Sequence, residues 1–407
     1  MNRSAEAIEK GGKFAVFLGL IGLLFAPIVA GVAGIADASG VRDMRTLAGW
    51  PDWSHTTWTR WTADFESWLN DHFPLRKVAV LGHSLVWHLW LHAPAGNVVV
   101  GQGHWLFYSG DGTIEDWVGR DRFSQEELVR WRNAVEGRRA WLKQRGIDYL
   151  LVLVPNKFTI YPERLPLLLR AQGRQGKLDQ LVDYLRSEHS PVSVLDLRPV
   201  LDGGKSQGIV YWPTDSHWNA QGLAAACNAV LARLPASIPA RPGGSRPPGY
   251  HFENLVRDGD CVILIGMNGR WPQFSCSQLR IDNPGNLHRV ETPLLELPIW
   301  RRGGVSQPLA FENDSGAGRA VMLCDSFFRV GGLPGDAEAQ TPLVLRFHRF
   351  VSLWDWTGGE NLSNYQMISA IAEKEHPDIV IDEWTERYLR TPMPDAPEFA
   401  RARAAVR

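Results

Sequence analysis

The chain has 407 residues, enough to bury a large core as one big domain or as two ordinary ones. Its 43 basic and 44 acidic residues leave a formal net charge of −1 at pH 7. This balance gives no electrostatic reason to expect nucleic acid as a partner. Of the 18 tryptophans we expect most in the core, and any rings left at the surface would suit stacking on sugar rings.

A long uncharged run follows a basic N-terminus. Phe14–Ala36 comprises 23 residues without a charge, and three basic residues precede it. At about 1.5 Å rise per residue a helix of this length crosses a bilayer, whereas the apolar region of a cleavable signal is shorter, about 7–15 residues. Small residues at the end of the run leave cleavage open. The pattern favours a retained transmembrane anchor within residues 1–40, with residues 41–407 outside the cytoplasm.

The cysteines predict no metal site. None of them forms a CxxC pair, and no histidine lies at zinc-finger spacing from them. In an oxidising compartment Cys261 and Cys276 could form a disulfide, because they flank a loop-like stretch. The four cysteines are Cys227, Cys261, Cys276 and Cys324.

The first predicted elements of the exported part are helical. A tryptophan-rich, helix-like stretch occupies residues 41–92, and the alternating segment 97–113 then predicts a hairpin. The segment 124–146 predicts a helix, because Ser124 is a suitable N-cap and Glu127 completes a capping box three residues later.

Apolar strands and helices then alternate to the end of the chain, which predicts an α/β fold with a parallel central sheet. The Pro- and Gly-rich segment 235–249 predicts an exposed linker, and a β-rich insertion follows at about 250–315. The predicted strands are 147–155, 191–197, 319–326 and 377–384, and the predicted helices are 177–189, 219–234 and 364–376.

Three predicted loops hold reactive side chains. Ligands of open α/β sheets bind at the carboxyl ends of the strands, so loops at that edge are candidates for a site. These residues are Asn156 and Lys157 after one strand, Asp215 and His217 before a helix, and Asp325 and Ser326 at the end of another strand.

Ser326, His217 and Asp215 are a candidate nucleophile, base and orienting acid. A serine hydroxyl is a weak nucleophile until a base takes its proton, and His217 would be that base. Asp215 would orient His217 and stabilise the imidazolium. Backbone N–H groups where the chain turns from the strand into a helix would stabilise an oxyanion.

Asn156, Lys157 and Asp325 are further candidates for binding the substrate or the oxyanion. Simpler interpretations stay open: a histidine in a loop is commonly a surface residue, and an Asp-Ser pair also occurs as a helix cap. Ser84 in LGHSLVW is interpreted as structural, because Val86 stands where a nucleophile elbow needs glycine.

Further motifs accompany these residues. They are FPLR (73–76), GQGHWLFY (101–108), RGIDYLLVLVPNKFTIYPERLP (145–166), TDSHWNAQG (214–222), CDSFF (324–328) and HPDIVIDEWTERYL (376–389). With these motifs the chain resembles the alginate O-acetyltransferase family of the AlgJ/AlgX type, and its N-terminal run is similar to the membrane-tethered AlgJ branch. Cys324 replaces the glycine of the family's GDS motif, and RDGDC (257–261) is an imperfect match to its GDL element.

The resemblance implies an SGNH-hydrolase-like three-layer fold and a serine acyl-enzyme. Ser326 would take an acetyl group and pass it to a hydroxyl of an exopolysaccharide such as alginate, with Asp215 and His217 as the family's Asp-x-His pair. It also implies an acetyl donor supplied by a membrane-bound O-acyltransferase partner. We expect a single-pass inner-membrane protein with its catalytic domain in the periplasm, and neither cofactor, metal nor nucleotide.

Two other functions stay open. The same triad with water as the acceptor would make a carbohydrate esterase or deacetylase, because the difference lies in whether water is excluded from the acyl-enzyme. A non-catalytic scaffold that binds polysaccharide for an export complex is the second alternative, and in that case Ser326→Ala would leave acetylation of the polymer unchanged.

Overall fold

The structure is a computed structural model of the 407-residue chain. It describes residues 17–18, 21–22, 25–27, 29, 47–53, 57–84, 86, 96–239, 249–282, 287–301, 307–328, 342–354, 356–357, 360–361 and 364–406.

Packing divides the chain into two compact units. One unit comprises Met1–Val100 and Asp258–Pro272, and the other comprises Gly101–Arg257 and Gln273–Arg407. The helices are α1 (Trp58–His72), α2 (Arg76–Ser84), α3 (Thr113–Trp117), α4 (Gln125–Lys143), α5 (Lys157–Ile160), α6 (Leu167–Ala171), α7 (Lys177–Ser187), α8 (Arg198–Gly204), α9 (Ala220–Ala232), α10 (Asp260–Leu264), α11 (Tyr365–Glu375) and α12 (Pro397–Ala404). The strands are β1 (Val98–Val100), β2 (Leu106–Tyr108), β3 (Asp148–Val154), β4 (Ser193–Asp196), β5 (Tyr250–Val256), β6 (Ser275–Ile281), β7 (Leu287–Val290), β8 (Leu309–Asn313), β9 (Arg319–Cys324), β10 (Arg349–Trp354), β11 (Trp356–Thr357), β12 (Glu360–Asn361) and β13 (Ile379–Thr385).

A seven-stranded sheet of the second unit runs in the order β4-β3-β13-β9-β10-β8-β7. The five strands from β4 to β10 in this order are parallel to one another. At the other edge, β8 pairs antiparallel with β10, and β7 pairs antiparallel with β8. All four predicted strands are among the parallel ones. In the register of β3 and β13, Val154 lies opposite Thr385, so these two strands end together at the carboxyl edge.

Both faces of this sheet are covered, as a buried parallel sheet requires. Residues of β3 from Tyr149 onward and all of β13 are buried. Leu151 and Leu153 point to one face and pack in a cluster with helices α4, α7, α11 and α12. Their neighbours Leu150 and Val152 point to the other face and are also buried, because side chains alternate along a strand.

The helix α4 forms as its N-terminal sequence predicts and is tied to the sheet by a buried ion pair. The N–H of Glu127 donates to Oγ of Ser124 at 3.2 Å, and the Glu127 carboxylate accepts the N–H of Ser124 at 2.8 Å. Arg138 on α4 donates to Asp382 on β13, which also accepts the Tyr149 hydroxyl at 2.6 Å. Satisfying the buried carboxylate in this way fixes β13 in the middle of the sheet.

The segment predicted as a β-rich insertion divides into two parts. β5 and β6 form an antiparallel pair of their own, with Tyr250 opposite Ile281 and Val256 opposite Ser275. β7 and β8 instead extend the central sheet, so this part of the predicted insertion at 250–315 belongs to the main fold. Of the predicted linker 235–249, residues 240–248 lie outside the described residues.

The predicted anchor at Phe14–Ala36 lies largely outside the described residues. No helix within the described ranges combines the length and apolar character that crossing a membrane requires.

All four cysteines are buried and outside any disulfide, so the disulfide considered between Cys261 and Cys276 is not formed. Burial raises the pKa of the Cys276 thiol to about 11, which makes it a poor thiolate nucleophile at neutral pH.

Candidate active site

Strand β9 brings Ser326 to the carboxyl edge of the sheet. The strand ends at Cys324, and Asp325 and Ser326 follow in a turn. The buried Sγ of Cys324 lies 3.3 Å from Oγ of Ser352 on β10. Neither Cys324 nor Ser326 has a positive φ angle, so the turn does not require the glycine that the related motif has at position 324.

The structure brings Ser326, His217 and Asp215 together. Nε2 of His217 lies 2.6 Å from Oγ of Ser326, and Nδ1 of His217 lies 2.7 Å from Oδ1 of Asp215. The same Asp215 oxygen accepts the backbone N–H of His217 at 3.0 Å. The Asp215 side chain is 4% exposed and that of His217 is 26% exposed, so the carboxylate is sheltered while the imidazole is open to a substrate. With the proton on Nδ1, His217 can accept the serine proton at Nε2.

His217 lies in a short loop that a backbone bridge closes at its two ends. Tyr211 and Trp218 form an isolated antiparallel bridge, and the N–H of Trp212 donates to the carbonyl of His217 at 3.2 Å. Beyond it, Asn219 caps α9, because its Oδ1 accepts the N–H groups of Gln221 and Gly222. The helix start that the sequence predicts after His217 is therefore present, and it fixes the exit of the loop.

Lys157 holds this loop in place by hydrogen bonds to its main-chain carbonyl groups. Its Nζ lies 2.6 Å from the carbonyl oxygen of Trp212, 2.8 Å from that of Pro213 and 3.0 Å from that of Asp215. The carbonyl of Leu106 on β2 is the fourth acceptor, at 2.7 Å. An ammonium has three N–H groups, so these carbonyl oxygens accept all the hydrogen bonds that the Lys157 ammonium can donate. The buried Lys157 side chain thus anchors the loop, and its predicted role in binding a substrate stays a prediction.

Two of the backbone N–H groups around Ser326 are already in use. The N–H of Phe327 donates to Oδ1 of Asp325 at 2.8 Å, and the N–H of Asp325 donates to Oε2 of Glu383 at 2.8 Å. Asp325 therefore shapes the turn through Oδ1, and its predicted role as a substrate or oxyanion ligand stays a prediction. Among the described residues, the N–H of Ser326 has no acceptor. The Ser326 N–H is thus a backbone donor in this turn that a ligand can use.

Asn156 follows β3 at the same edge of the sheet. Its backbone N–H donates to Oε2 of Glu386 at 2.6 Å, and it precedes α5 without capping that helix through its side chain. The side chain is 6% exposed and makes no hydrogen bond within the described residues. Its amide is therefore a second donor available to a ligand.

Two buried carboxyl groups at the end of β13 hold the flanking loops, and neither was predicted from the sequence. Glu383 accepts the Asp325 N–H, and Glu386 accepts the Asn156 N–H together with the hydroxyl of Thr159 at 2.7 Å. Burial raises the pKa of Glu383 well above its ordinary value, and the nearby Asp325 raises it further. Burial also raises the pKa of Glu386 to about 8. With a pKa of about 8, the Glu386 carboxyl is largely neutral at pH 7.

Two arginines beside the triad were also missed. Nη2 of Arg257 lies 3.3 Å from Oδ2 of Asp215, and its guanidinium lies over the Trp212 ring at 4.5 Å. The guanidinium of Arg387 lies 5.1 Å from the centroid of the Phe327 ring, which in turn packs 4.9 Å from the imidazole of His217. Arg257 was visible in the RDGDC motif, but spacing alone does not indicate which carboxylate it pairs with.

The raised pKa of Glu386 predicts how stability changes with pH. The unfolded chain releases this proton near the ordinary pKa of 4.5, whereas the folded chain keeps it to about 8. Between these pH values the folded chain holds more protons than the unfolded chain. The free energy of unfolding therefore falls as pH rises, by at most about 1.4 kcal/mol per pH unit from this group. We expect Glu386→Gln to remove this part of the pH dependence between pH 5 and 8.

Urea unfolding at several pH values measures this effect. Glu126→Gln changes an exposed carboxyl in the first turn of α4 and serves as the matched control. An identical pH slope in Glu386→Gln and the unsubstituted protein would show that Glu386 does not carry the raised pKa.

Comparisons with known proteins point to one family. Residues 98–270 match the family model described as "SGNH hydrolase-like domain, acetyltransferase AlgX". The "Probable alginate O-acetylase AlgJ" of Pseudomonas syringae pv. tomato is 25% identical over 349 residues, 80% of this chain and 77% of the relative. The protein of the same name from Pseudomonas putida is 29% identical over 137 residues. That match spans about a third of either chain, 33% of each.

Two solved structures are also similar. The O-acetyltransferase domain of Pseudomonas putida AlgJ is 17% identical, with 77% of this chain and 100% of that domain covered and a TM-score of 0.45. Bacillus cereus PatB1 is 15% identical, with 74% of this chain and 98% of the other covered and a TM-score of 0.48.

Proposed function

We propose, from the chain's membership of the AlgJ/AlgX family of proteins with an SGNH hydrolase-like domain, that it is an exopolysaccharide O-acetyltransferase. The observation that carries this proposal is the contact of 2.6 Å between Nε2 of His217 and Oγ of Ser326. Asp215 behind the imidazole completes the arrangement that serine acyl transfer needs.

The reaction proceeds in two half-reactions. Ser326 Oγ attacks the carbonyl carbon of an acetyl donor while His217 takes the hydroxyl proton, and the donor's leaving group departs with a proton returned by His217. A hydroxyl of the polysaccharide then attacks the acetyl-serine ester, His217 takes its proton, and Ser326 leaves as the hydroxyl. The Ser326 N–H and the Asn156 amide stabilise the oxyanion in both steps.

The acceptor is an acidic polysaccharide of the alginate type. The relatives are named as probable alginate O-acetylases, and Arg257 and Arg387 provide positive charge beside the triad for a carboxylate-bearing sugar. The uncharged run Phe14–Ala36 anchors the chain in the inner membrane with the catalytic domain in the periplasm. A membrane-bound O-acyltransferase partner supplies the acetyl group.

Ser326→Ala tests the acyl-enzyme. We expect it to lower acetyl transfer by about a thousandfold or more, because the nucleophile is lost while the fold is kept. The assay incubates the purified chain with p-nitrophenyl acetate and an oligouronate, and mass spectrometry measures acetylated sugar.

Ser206→Ala removes an exposed serine hydroxyl at the end of α8 and is the matched control. Full transfer by Ser326→Ala would reject the acyl-enzyme and favour the scaffold. Release of acetate without any acetylated sugar from the unsubstituted chain would favour the esterase.

Asn156→Ala tests the second oxyanion donor. Its side chain makes no hydrogen bond within the described residues, so we expect the variant to fold normally. Loss of one oxyanion donor is expected to lower kcat by about 10²–10³ with little change in KM. Asn228→Ala, an exposed amide on α9, is the control. A kcat equal to that of the control variant would exclude the Asn156 amide from the oxyanion site.

A further inference from the structure

A row of aromatic rings lies in the first unit and takes no part in the proposed chemistry. Its members within α1 recur at intervals of three and four residues, so they share one side of the helix. α1 has 15 residues, and none of them is buried. We call this set the aromatic row, and its members are Trp50, Trp53, Trp58, Trp61, Phe65 and Trp68.

The rings of the row stack on one another. The ring centroids of Trp53 and Trp61 are 3.8 Å apart with planes inclined by 23°, and those of Trp61 and Phe65 are 5.1 Å apart with planes inclined by 8°. The inner rings therefore have their faces covered by neighbouring rings. A sugar ring stacks on a free aromatic face, so the inner part of the row is poorly suited to binding a polysaccharide.

The outer rings nevertheless remain in contact with solvent. Trp50, Trp53 and Trp58 are 61%, 57% and 67% exposed. A contiguous apolar patch of this kind marks an interaction surface, because a soluble protein rarely leaves several large rings uncovered together.

The position of the row in the chain and its charge indicate what covers it. Residues 37–49 separate the uncharged run from Trp50, and at about 3.3–3.6 Å per residue they reach at most roughly 45 Å. α1 also carries one arginine and three acidic residues, so its net charge disfavours both an anionic surface and an acidic polymer. Tryptophan concentrates at the headgroup level of bilayers, where its ring is partly buried and its N–H stays hydrated.

We infer that the aromatic row docks on the zwitterionic headgroup region of the membrane, with α1 lying along the bilayer surface. This inference rests on the anchor proposed above for Phe14–Ala36. The opposite side of α1, which contains Ala63 and Ser67, is small and polar and faces water. The surface helix limits the tilt and the reach of the chain just outside the membrane.

The test uses the full chain in phosphatidylcholine vesicles, with a nitroxide label on one introduced cysteine. Leu69→Cys places the label on the side of the aromatic row, and Ser67→Cys places it on the opposite side. Both positions are exposed, and both variants retain all six rings. The native cysteines are buried, so labelling of the unsubstituted chain measures the background.

We expect the label at position 69 to be severalfold less accessible to a water-soluble nickel chelate, and more accessible to oxygen, than the label at 67. Adding Trp53→Ser and Trp58→Ser should remove much of this difference. Flotation of the vesicles measures anchoring separately, and acetyl transfer by the same samples measures catalysis separately.

Equal accessibility at both positions of a chain that floats would overturn the docking while leaving the anchor intact. A chain that does not float would overturn the docking together with the anchor, whatever its acetyl transfer. Protection of position 69 that requires added oligouronate would also overturn the inference, because the row would then bind sugar.

Discussion

The arrangement of the candidate site depends on one buried ammonium. Lys157 donates to the carbonyl oxygens of Trp212, Pro213 and Asp215 and so fixes the loop that ends in His217. A buried charge is costly unless hydrogen bonds replace its water, and here carbonyl oxygens surround it. The fourth carbonyl, that of Leu106, belongs to β2, so one cation joins the loop to a neighbouring strand. The position of His217 is thus set by main-chain groups, and the Asp215 carboxylate is left to contact Nδ1 of the imidazole.

The loops that contain Asp325 and Asn156 are held by carboxyl groups, whereas the His217 loop is held by an ammonium. Glu383 and Glu386 lie at the end of β13. Glu383 accepts a backbone N–H from the loop after β9, on one side of β13, and Glu386 accepts one from the loop after β3, on the other side. Because burial raises the pKa of both carboxyl groups, they accept these hydrogen bonds with less negative charge than two ordinary carboxylates would carry at pH 7. The central strand therefore sets the geometry of both loops at little electrostatic cost to the chemistry.

The sequence predicted the elements whose signal is local. Apolar runs identified four of the parallel strands, and two of the predicted loops held Ser326 and the His217–Asp215 pair that lies beside it. β10 was not predicted as part of the central sheet, because its first residue, Arg349, is charged. The arginine is buried there because it pairs with Glu375 on α11 and Glu312 on β8. The roles of Lys157 and Glu383 could not be predicted either, since each depends on carbonyl or N–H groups that are far away along the chain.

The strand order also constrains where the acyl group of the proposed reaction would lie. Ser326 follows β9 and Asn156 follows β3, and β13 lies between these strands. Neighbouring strands are about 4.8 Å apart, so the two loops start roughly 10 Å from each other. An oxyanion that receives both the Ser326 N–H and the Asn156 amide must therefore lie over the carboxyl end of β13. At that end the Glu383 and Glu386 carboxyl groups accept the N–H groups of Asp325 and Asn156, so the same strand that separates the two loops also fixes them.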